Sequence, residues 1–333
     1  MTARVLSTLR LPDPFTEIVS PLATIEVIGE ILPTPELCAR VAAAGADVLC
    51  PQLADRIDSS VLDAGGSRLR AVNGYAVGYN NIDIPAATAR RVAVGNTPGV
   101  LTDATADMAM GLLLATARRI CEGDRMMRTG GFAGWTPEFM LGMELRESVL
   151  GIVGFGRIGQ ALARRALACG MRVTAAARDT TLIPDDLADR VTTIPLDSLL
   201  ATADVVSLHC PLNDATRHLI NDAALRRMKP SAILINTARG PIVDEAALVT
   251  ALQERRIAGA GLDVYEREPE MAAGLAQCEN AVLAPHLGSA TVRTRAAMAE
   301  LVARNTVAVL GGSLPVHCVN PEVAPSWLGT TAS

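Results

Sequence analysis

Residues 149–159, VLGIVGFGRIG, form an apolar run followed at once by Gly154, Gly156 and Gly159 in GxGxxG spacing, and then by a helical pattern over 160–168. Few folds accommodate a strand that turns into a helix around three glycines. Those glycines permit a tight turn, close backbone approach to a pyrophosphate and close helix contact, while the helix N-terminus offers unpaired N–H groups and positive potential to an anion. A bare GxGxxG carries little weight, but with a strand before it and a helix after it the pattern predicts a dinucleotide site.

The rest of the chain repeats the same alternation. Short apolar runs at 25–28, 46–49, 69–72 and 92–95 are separated by helical or turn segments, as successive βα units with a parallel sheet require. A long apolar helix follows, with Thr102 or Asp103 placed as its cap, and its continuous apolarity predicts burial between domains or subunits. A second series of six strands runs from 149 through 173–176, 205–208, 233–235, 259–264 and 281–283. A last long helix over 291–309 stops at Gly311 and Gly312. The chain's 333 residues exceed the roughly 250–300 at which one core stops growing, so two domains are expected.

Composition narrows the function. Half of the residues are apolar, 20% are charged and mean hydropathy is +0.28, as in a well-buried globular enzyme. A net charge of -5 argues against nucleic acid and other polyanionic partners. The seven cysteines are scattered and never in CxxC spacing, which indicates neither a disulfide framework nor a zinc or other metal site, and they read as reduced thiols of a cytoplasmic protein. Residues 1–20 have no basic start and no long apolar core, and no run approaches the roughly 20 residues that span a bilayer, so neither secretion nor membrane insertion is expected. Lys229 is the only lysine and precedes Pro230 in a turn context, which makes it a poor Schiff-base candidate.

About 20 residues beyond the glycine loop, a dinucleotide unit that prefers NAD ends its second strand in Asp or Glu. Here the strand ends in Ala177 and Arg178, with no carboxylate to repel a 2′-phosphate and a guanidinium able to pair with it. NADP(H) is therefore the expected cofactor, with NAD(H) possible if Asp179 takes the acidic role.

Only four histidines are present. His286, in APHLGSAT, follows a buried strand and so stands at the C-terminal sheet edge where ligands bind. His209, in SLHCPL, reads equally as a buried structural imidazole or a cofactor contact; His218 and His317 lie in polar or loop contexts and read as bystanders. A carbonyl that accepts hydride develops negative charge and needs a nearby proton donor, and a carboxylate beside an imidazole favours the charged ring. Glu268, in DVYEREP, is the candidate carboxylate, and Arg239, in NTARG, is the cation for a substrate carboxylate.

NTARGPIVDEAAL, AGAGLDVYEREP and APHLGSAT, with VLGIVGFGRIGQALARR and YAVGYNNIDIPAATARRVAVGNTPGVLTDATADMAMGLLLATAR, closely resemble the D-isomer-specific 2-hydroxyacid dehydrogenases over about residues 40–322, and within them the glyoxylate/hydroxypyruvate reductases. The resemblance implies two Rossmann-like, doubly wound parallel-sheet α/β domains. The nucleotide-binding domain (101–288) would be inserted into the substrate-binding domain (1–100 and 289–333), with hinges near 98–102 and 287–291. It implies Glu268 and His286 as the acid pair, Arg239 on the substrate carboxylate and carbonyl oxygen, Val77 and Gly78 amides on the carboxylate from the other domain, and Leu53 at the pocket border. For the cofactor it implies Thr105 and Asp263 at the nicotinamide, the Arg157 and Ile158 amides on phosphate and Arg178 on the 2′-phosphate, with further contacts from Cys210, Pro211, Thr216, Thr237, His286 and Gly288. Family members are commonly homodimers, and GWTPEF resembles the segment whose tryptophan, here Trp135, reaches the partner's active site.

Asn80 stands where close relatives carry Asp before NID, a change that touches a local cap more than the chemistry. Phosphite dehydrogenases carry lysine where this chain has Val77, and formate dehydrogenases carry glutamine where it has Glu268, so the resemblance favours neither branch. A nucleotide-sensing binding protein on the same fold is the competing class; the joint presence of Arg239, Glu268 and His286 favours catalysis.

Overall fold

In the computed structural model, which describes residues 2–177 and 183–324, the chain divides into two compact units, Met1–Leu101 with Thr291–Ser333 and Thr102–Ala290. The first contains β1 (Ala3–Ser7), α1 (Phe15–Val19), β2 (Ala23–Val27), α2 (Thr34–Ala44), β3 (Val48–Cys50), α3 (Ser59–Ala64), β4 (Ala71–Asn73), α4 (Ile84–Ala89) and β5 (Ala93–Gly95). The second contains α5 (Thr102–Ala117), α6 (Ile120–Arg128), β6 (Val149–Val153), α7 (Arg157–Ala168), β7 (Arg172–Ala176), α8 (Asp185–Ala188), β8 (Val191–Thr193), α9 (Leu196–Thr202), β9 (Val205–Leu208), α10 (Asp222–Arg227), β10 (Ile233–Asn236), α11 (Glu245–Gln253), β11 (Gly259–Leu262) and β12 (Ala281–Leu283). The long α12 (Val292–Leu310) belongs to the first unit.

Both sheets are wholly parallel, in the orders β2-β1-β3-β4-β5 and β12-β11-β10-β9-β6-β7-β8. Parallel neighbours need crossover helices, which cover both faces and explain strands as apolar as Val205–Leu208 and Ile233–Asn236, buried throughout. In the seven-stranded unit, α5, α7 and α8 cover one face and α9, α10 and α11 the other. In the five-stranded unit, α1 and α12 cover one face and α2, α3 and α4 the other. The larger sheet reverses direction of growth between β6 and β9, and such switch points open a ligand crevice at the C-terminal strand ends.

Several elements differ from the sequence reading. β1 was not foreseen, because only Val5, Leu6 and Ser7 of its five residues are buried, yet it pairs with both β2 and β3. The edge strand β8, with Val191 its single buried residue, was missed for the same reason, and the larger sheet has seven strands where six were expected. Thr102 and Asp103 stand inside the first turn of α5 instead of capping it, and α5 packs on α7 and on β10, β11 and β12 of its own unit. Helix α7 starts at Arg157, earlier than the 160–168 pattern indicated. Helix α12 is capped by the Thr291 side chain, which accepts from Thr294 N–H at 3.0 Å, worth about 1 kcal/mol. Lys229 pairs with Asp204 at 2.8 Å just before β10, a structural role at the N-terminal edge of the sheet. Among the described residues no helix is long and apolar enough to cross a membrane.

Candidate active site

Strand β6 runs into Gly154, whose φ of +89° favours glycine and where a Cβ would lie 2.5 Å from the main-chain nitrogen of Cys210. The segment after β9, carrying Cys210 and Pro211, therefore rides directly over the turn. Gly156 is the N-cap of α7; among the described residues no side chain caps this end, no acidic residue occupies the first turn, and a Cβ at Gly156 would meet nothing within 4 Å. The Arg157 and Ile158 amides thus head an uncapped twelve-residue helix, the arrangement that receives an anion. Gly159 is buried in the next turn, where a Cβ would meet the Gly154 carbonyl at 2.6 Å. The hydroxyl of buried Thr237, beyond β10, has no hydrogen-bond partner among the described residues, as expected of a group awaiting a ligand. These features fit a dinucleotide. The Thr216 hydroxyl is engaged in its own loop, donating to Pro211 O at 2.7 Å. Arg178 and Asp179 lie outside the described residues.

Arg239, Glu268 and His286 follow the C-terminal ends of β10, β11 and β12, which are consecutive in the sheet. Buried Asn236 shapes the first of these turns: its Oδ1 accepts Ala238 N–H and its Nδ2 donates to Arg239 O, both at 3.0 Å. The Arg239 guanidinium donates to Ala238 O at 2.6 Å; burial lowers its basicity, and the nearby Glu268 charge opposes that. His286 Nδ1 lies 2.8 Å from Glu268 Oε2, and Tyr265 N–H donates to Glu268 Oε1 at 3.0 Å. Burial pushes the Glu268 carboxyl up, but the bond and charge of His286, the Tyr265 amide and the Arg239 charge outweigh it and hold the group below the ordinary carboxylate range. The geometry brings an imidazole, a carboxylate and a guanidinium to one sheet edge.

Asp263 has a task the sequence did not reveal. It is buried, and its two oxygens accept the N–H groups of Leu287 and Gly288 at 2.6 and 2.7 Å, so it fixes the turn that carries His286. Burial raises its pKa, opposed chiefly by those two bonds. The Thr105 hydroxyl donates to Gly288 O at 3.2 Å, which places Thr105, Asp263 and Gly288 together. His218, read as a bystander, lies 2.7 Å from Glu266 Oε1.

In the other unit, Leu53 lies just beyond β3, and Val77 and Gly78 just beyond β4, at the C-terminal edge of the five-stranded sheet; Val77 O accepts from Asn96 Nδ2 at 2.8 Å. Trp135 is 77% exposed, and in the same segment the Phe132 and Phe139 rings meet at 5.7 Å.

His209, the residue just beyond β9, is partly buried. Its Nε2 lies 2.8 Å from Ser207 Oγ, and burial drives its pKa from 6.5 down to about 4. Between those values the unfolded chain holds a proton that the folded chain lacks, so stability declines as pH falls below 6.5 and levels off near 4. Denaturant melts at pH 7 and 5 are expected to show a smaller acid-induced loss for His209→Gln than for the unsubstituted chain. Equal losses would mean the ring is not buried in its neutral form.

Residues 110–288 match the family model described as D-isomer specific 2-hydroxyacid dehydrogenase, NAD binding domain. The chain is 44% identical over 331 residues to a glyoxylate reductase of Thermococcus litoralis, covering 98% of this chain and 99% of that protein. Among solved structures it resembles the TT0316 protein of Thermus thermophilus, with a TM-score of 0.88, 45% identity and coverage of 95% and 99% of the two chains. It also resembles an NADPH-dependent glyoxylate/hydroxypyruvate reductase of Sinorhizobium meliloti in complex with NADP and malonate, with a TM-score of 0.82, 32% identity and coverage of 96% and 97%.

Proposed function

The chain belongs to the D-isomer-specific 2-hydroxyacid dehydrogenases, NAD(P)-dependent oxidoreductases, and from that membership we propose that it reduces glyoxylate and hydroxypyruvate to their 2-hydroxyacids, with NADPH preferred over NADH. The observation that carries this reading is the 2.8 Å bond between His286 Nδ1 and Glu268 Oε2 beside the strand end that bears Arg239.

When bound, the reduced nicotinamide supplies the hydride. Arg239 pairs with the substrate carboxylate and the carbonyl oxygen, a task suited to a planar guanidinium. His286, with Nδ1 committed to Glu268, presents Nε2 to the carbonyl oxygen and delivers the proton as negative charge develops there. Glu268, held ionised, orients the ring. We assign the Val77 and Gly78 amides to the carboxylate and Leu53 to the pocket border. The α7 N-terminus and the turn of Gly154, Gly156 and Gly159 take the pyrophosphate, with Cys210, Pro211, Thr216, Thr237, Thr105, Asp263 and Gly288 along the rest of the cofactor. On this reading the Thr102–Ala290 unit is the nucleotide-binding domain and the other unit the substrate domain. The enzyme acts as a cytoplasmic homodimer, with the exposed Trp135 meeting the partner subunit.

Loss of NADPH absorbance with glyoxylate, hydroxypyruvate, pyruvate, phenylpyruvate and phosphite, each against both cofactors, tests the proposal. A protein that binds NADPH but consumes none with any oxoacid would be a sensor and not a reductase. For the cofactor preference, Arg178→Ala is expected to raise KM for NADPH at least tenfold, about 1.4 kcal/mol, with little change for NADH. Equal effects on the two cofactors would defeat the 2′-phosphate assignment.

A further inference from the structure

Glu268 and His286 are each about one-third exposed, with side-chain values of 36% and 31%, so packing alone does not fix their mutual aim. Glu268 is mounted on the loop that follows β11, whose own ladder contact is a single bridge between Arg267 and Glu270. The position of that carboxylate must therefore come from what holds the loop.

Glu245, at the first position of α11, is buried, and its two oxygens accept main-chain N–H groups from both ends of the loop, Glu266 and Ala272, each at 2.8 Å. Glu266 returns the bond, its Oε2 accepting Glu245 N–H at 3.4 Å. Its other oxygen lies 2.7 Å from His218 Nε2, and since a carboxylate donates nothing, the imidazole is the donor. His218 is itself tied down, with its main-chain N–H on Pro241 O at 2.8 Å, and Ile220 and Val243 form a parallel bridge beside it. Within the loop, Glu266 engages His218 and α11 while Glu268 engages His286, so immobilising one sets the other.

We propose that His218 and Glu266 form a positioning pair that keeps Glu268 aimed at His286. The inference rests on the assignment of Arg239, Glu268 and His286 to the reducing site. Neither His218 nor Glu266 touches the reacting atoms; they act through the main chain that carries Glu268, where a shift of about 1 Å can cost on the order of 100-fold in rate.

The test uses the full chain with NADPH and glyoxylate, comparing His218→Leu, which keeps bulk but cannot donate, with His218→Gln, whose amide can donate to Glu266. His218→Leu is expected to lower kcat about tenfold with KM for NADPH within about twofold, and His218→Gln to recover to within about threefold of the unsubstituted enzyme. Glu266→Gln is expected to show the same split between kcat and KM. The proposal is overturned if His218→Leu leaves kcat unchanged, if its loss only tracks the fraction of protein still able to bind NADPH, or if His218→Gln does no better than leucine. An unsubstituted enzyme that reduces no oxoacid, or a Glu268→Gln variant with full activity, would instead count against the assignment of the site.

Discussion

His286→Ala is expected to lower kcat for glyoxylate reduction by roughly 10²- to 10⁴-fold while leaving NADPH affinity within about twofold. The substitution removes the ring whose Nδ1 is committed to Glu268 at 2.8 Å and so deletes the proton donor without disturbing the glycine turn or the uncapped end of α7. The main chain at this position has φ of +55°, a conformation alanine adopts at some cost. Asp263 still grips Leu287 and Gly288 from below, which keeps the turn in place. Single-turnover absorbance measurements separate hydride transfer from product release, and a fluorescence titration reports NADPH binding. Undiminished turnover would strip His286 of its role, and a matching collapse of NADPH binding would reassign it to cofactor binding.

Gly240→Ala is expected to be nearly as damaging for a different reason. A Cβ at this position would lie 1.8 Å from Tyr265 O and 2.4 Å from Glu266 N, both main-chain atoms with no flexible side chain to yield. Gly240 has no positive φ, so the obstacle is space and not backbone strain. Relief requires the strand end bearing Arg239 to part from the loop bearing Glu268. Such overpacking costs about 1–3 kcal/mol of stability, and a displacement of the two charged groups by about 1 Å is expected to lower kcat/KM on the order of 100-fold. Thermal melting together with steady-state kinetics checks both parts. A variant with unchanged melting temperature and activity would show that this close approach is not required.

Much of this site could be read in the sequence wherever a local pattern forces a local geometry. VLGIVGFGRIG declares its turn because strand, glycines and helix are contiguous, and Arg239 and His286 declare themselves by following buried apolar runs that end at a sheet edge. The groups that hold those residues in place gave no such signal. Glu245 and Glu266 are ordinary acids in sequence and become a reciprocal clasp only after α11 docks beside the loop. His218 meets a partner 48 positions away, and no periodicity connects them. Asp263 was expected at the cofactor, and its grip on two consecutive amides across the strand gap is a product of the β11–β12 pairing. Strand β1 leaves no alternating pattern in the sequence because only its last three residues are buried, although it lies between β2 and β3 in the sheet.

Lys229, bound to Asp204 at the opposite edge of the sheet from Arg239, is the sole side-chain amine in the molecule. Acylating reagents and amine-reactive resins consequently find no lysine among the strand ends that gather the imidazole, carboxylate and guanidinium. Coupling through Lys229 is therefore expected to leave Arg239, Glu268 and His286 unmodified.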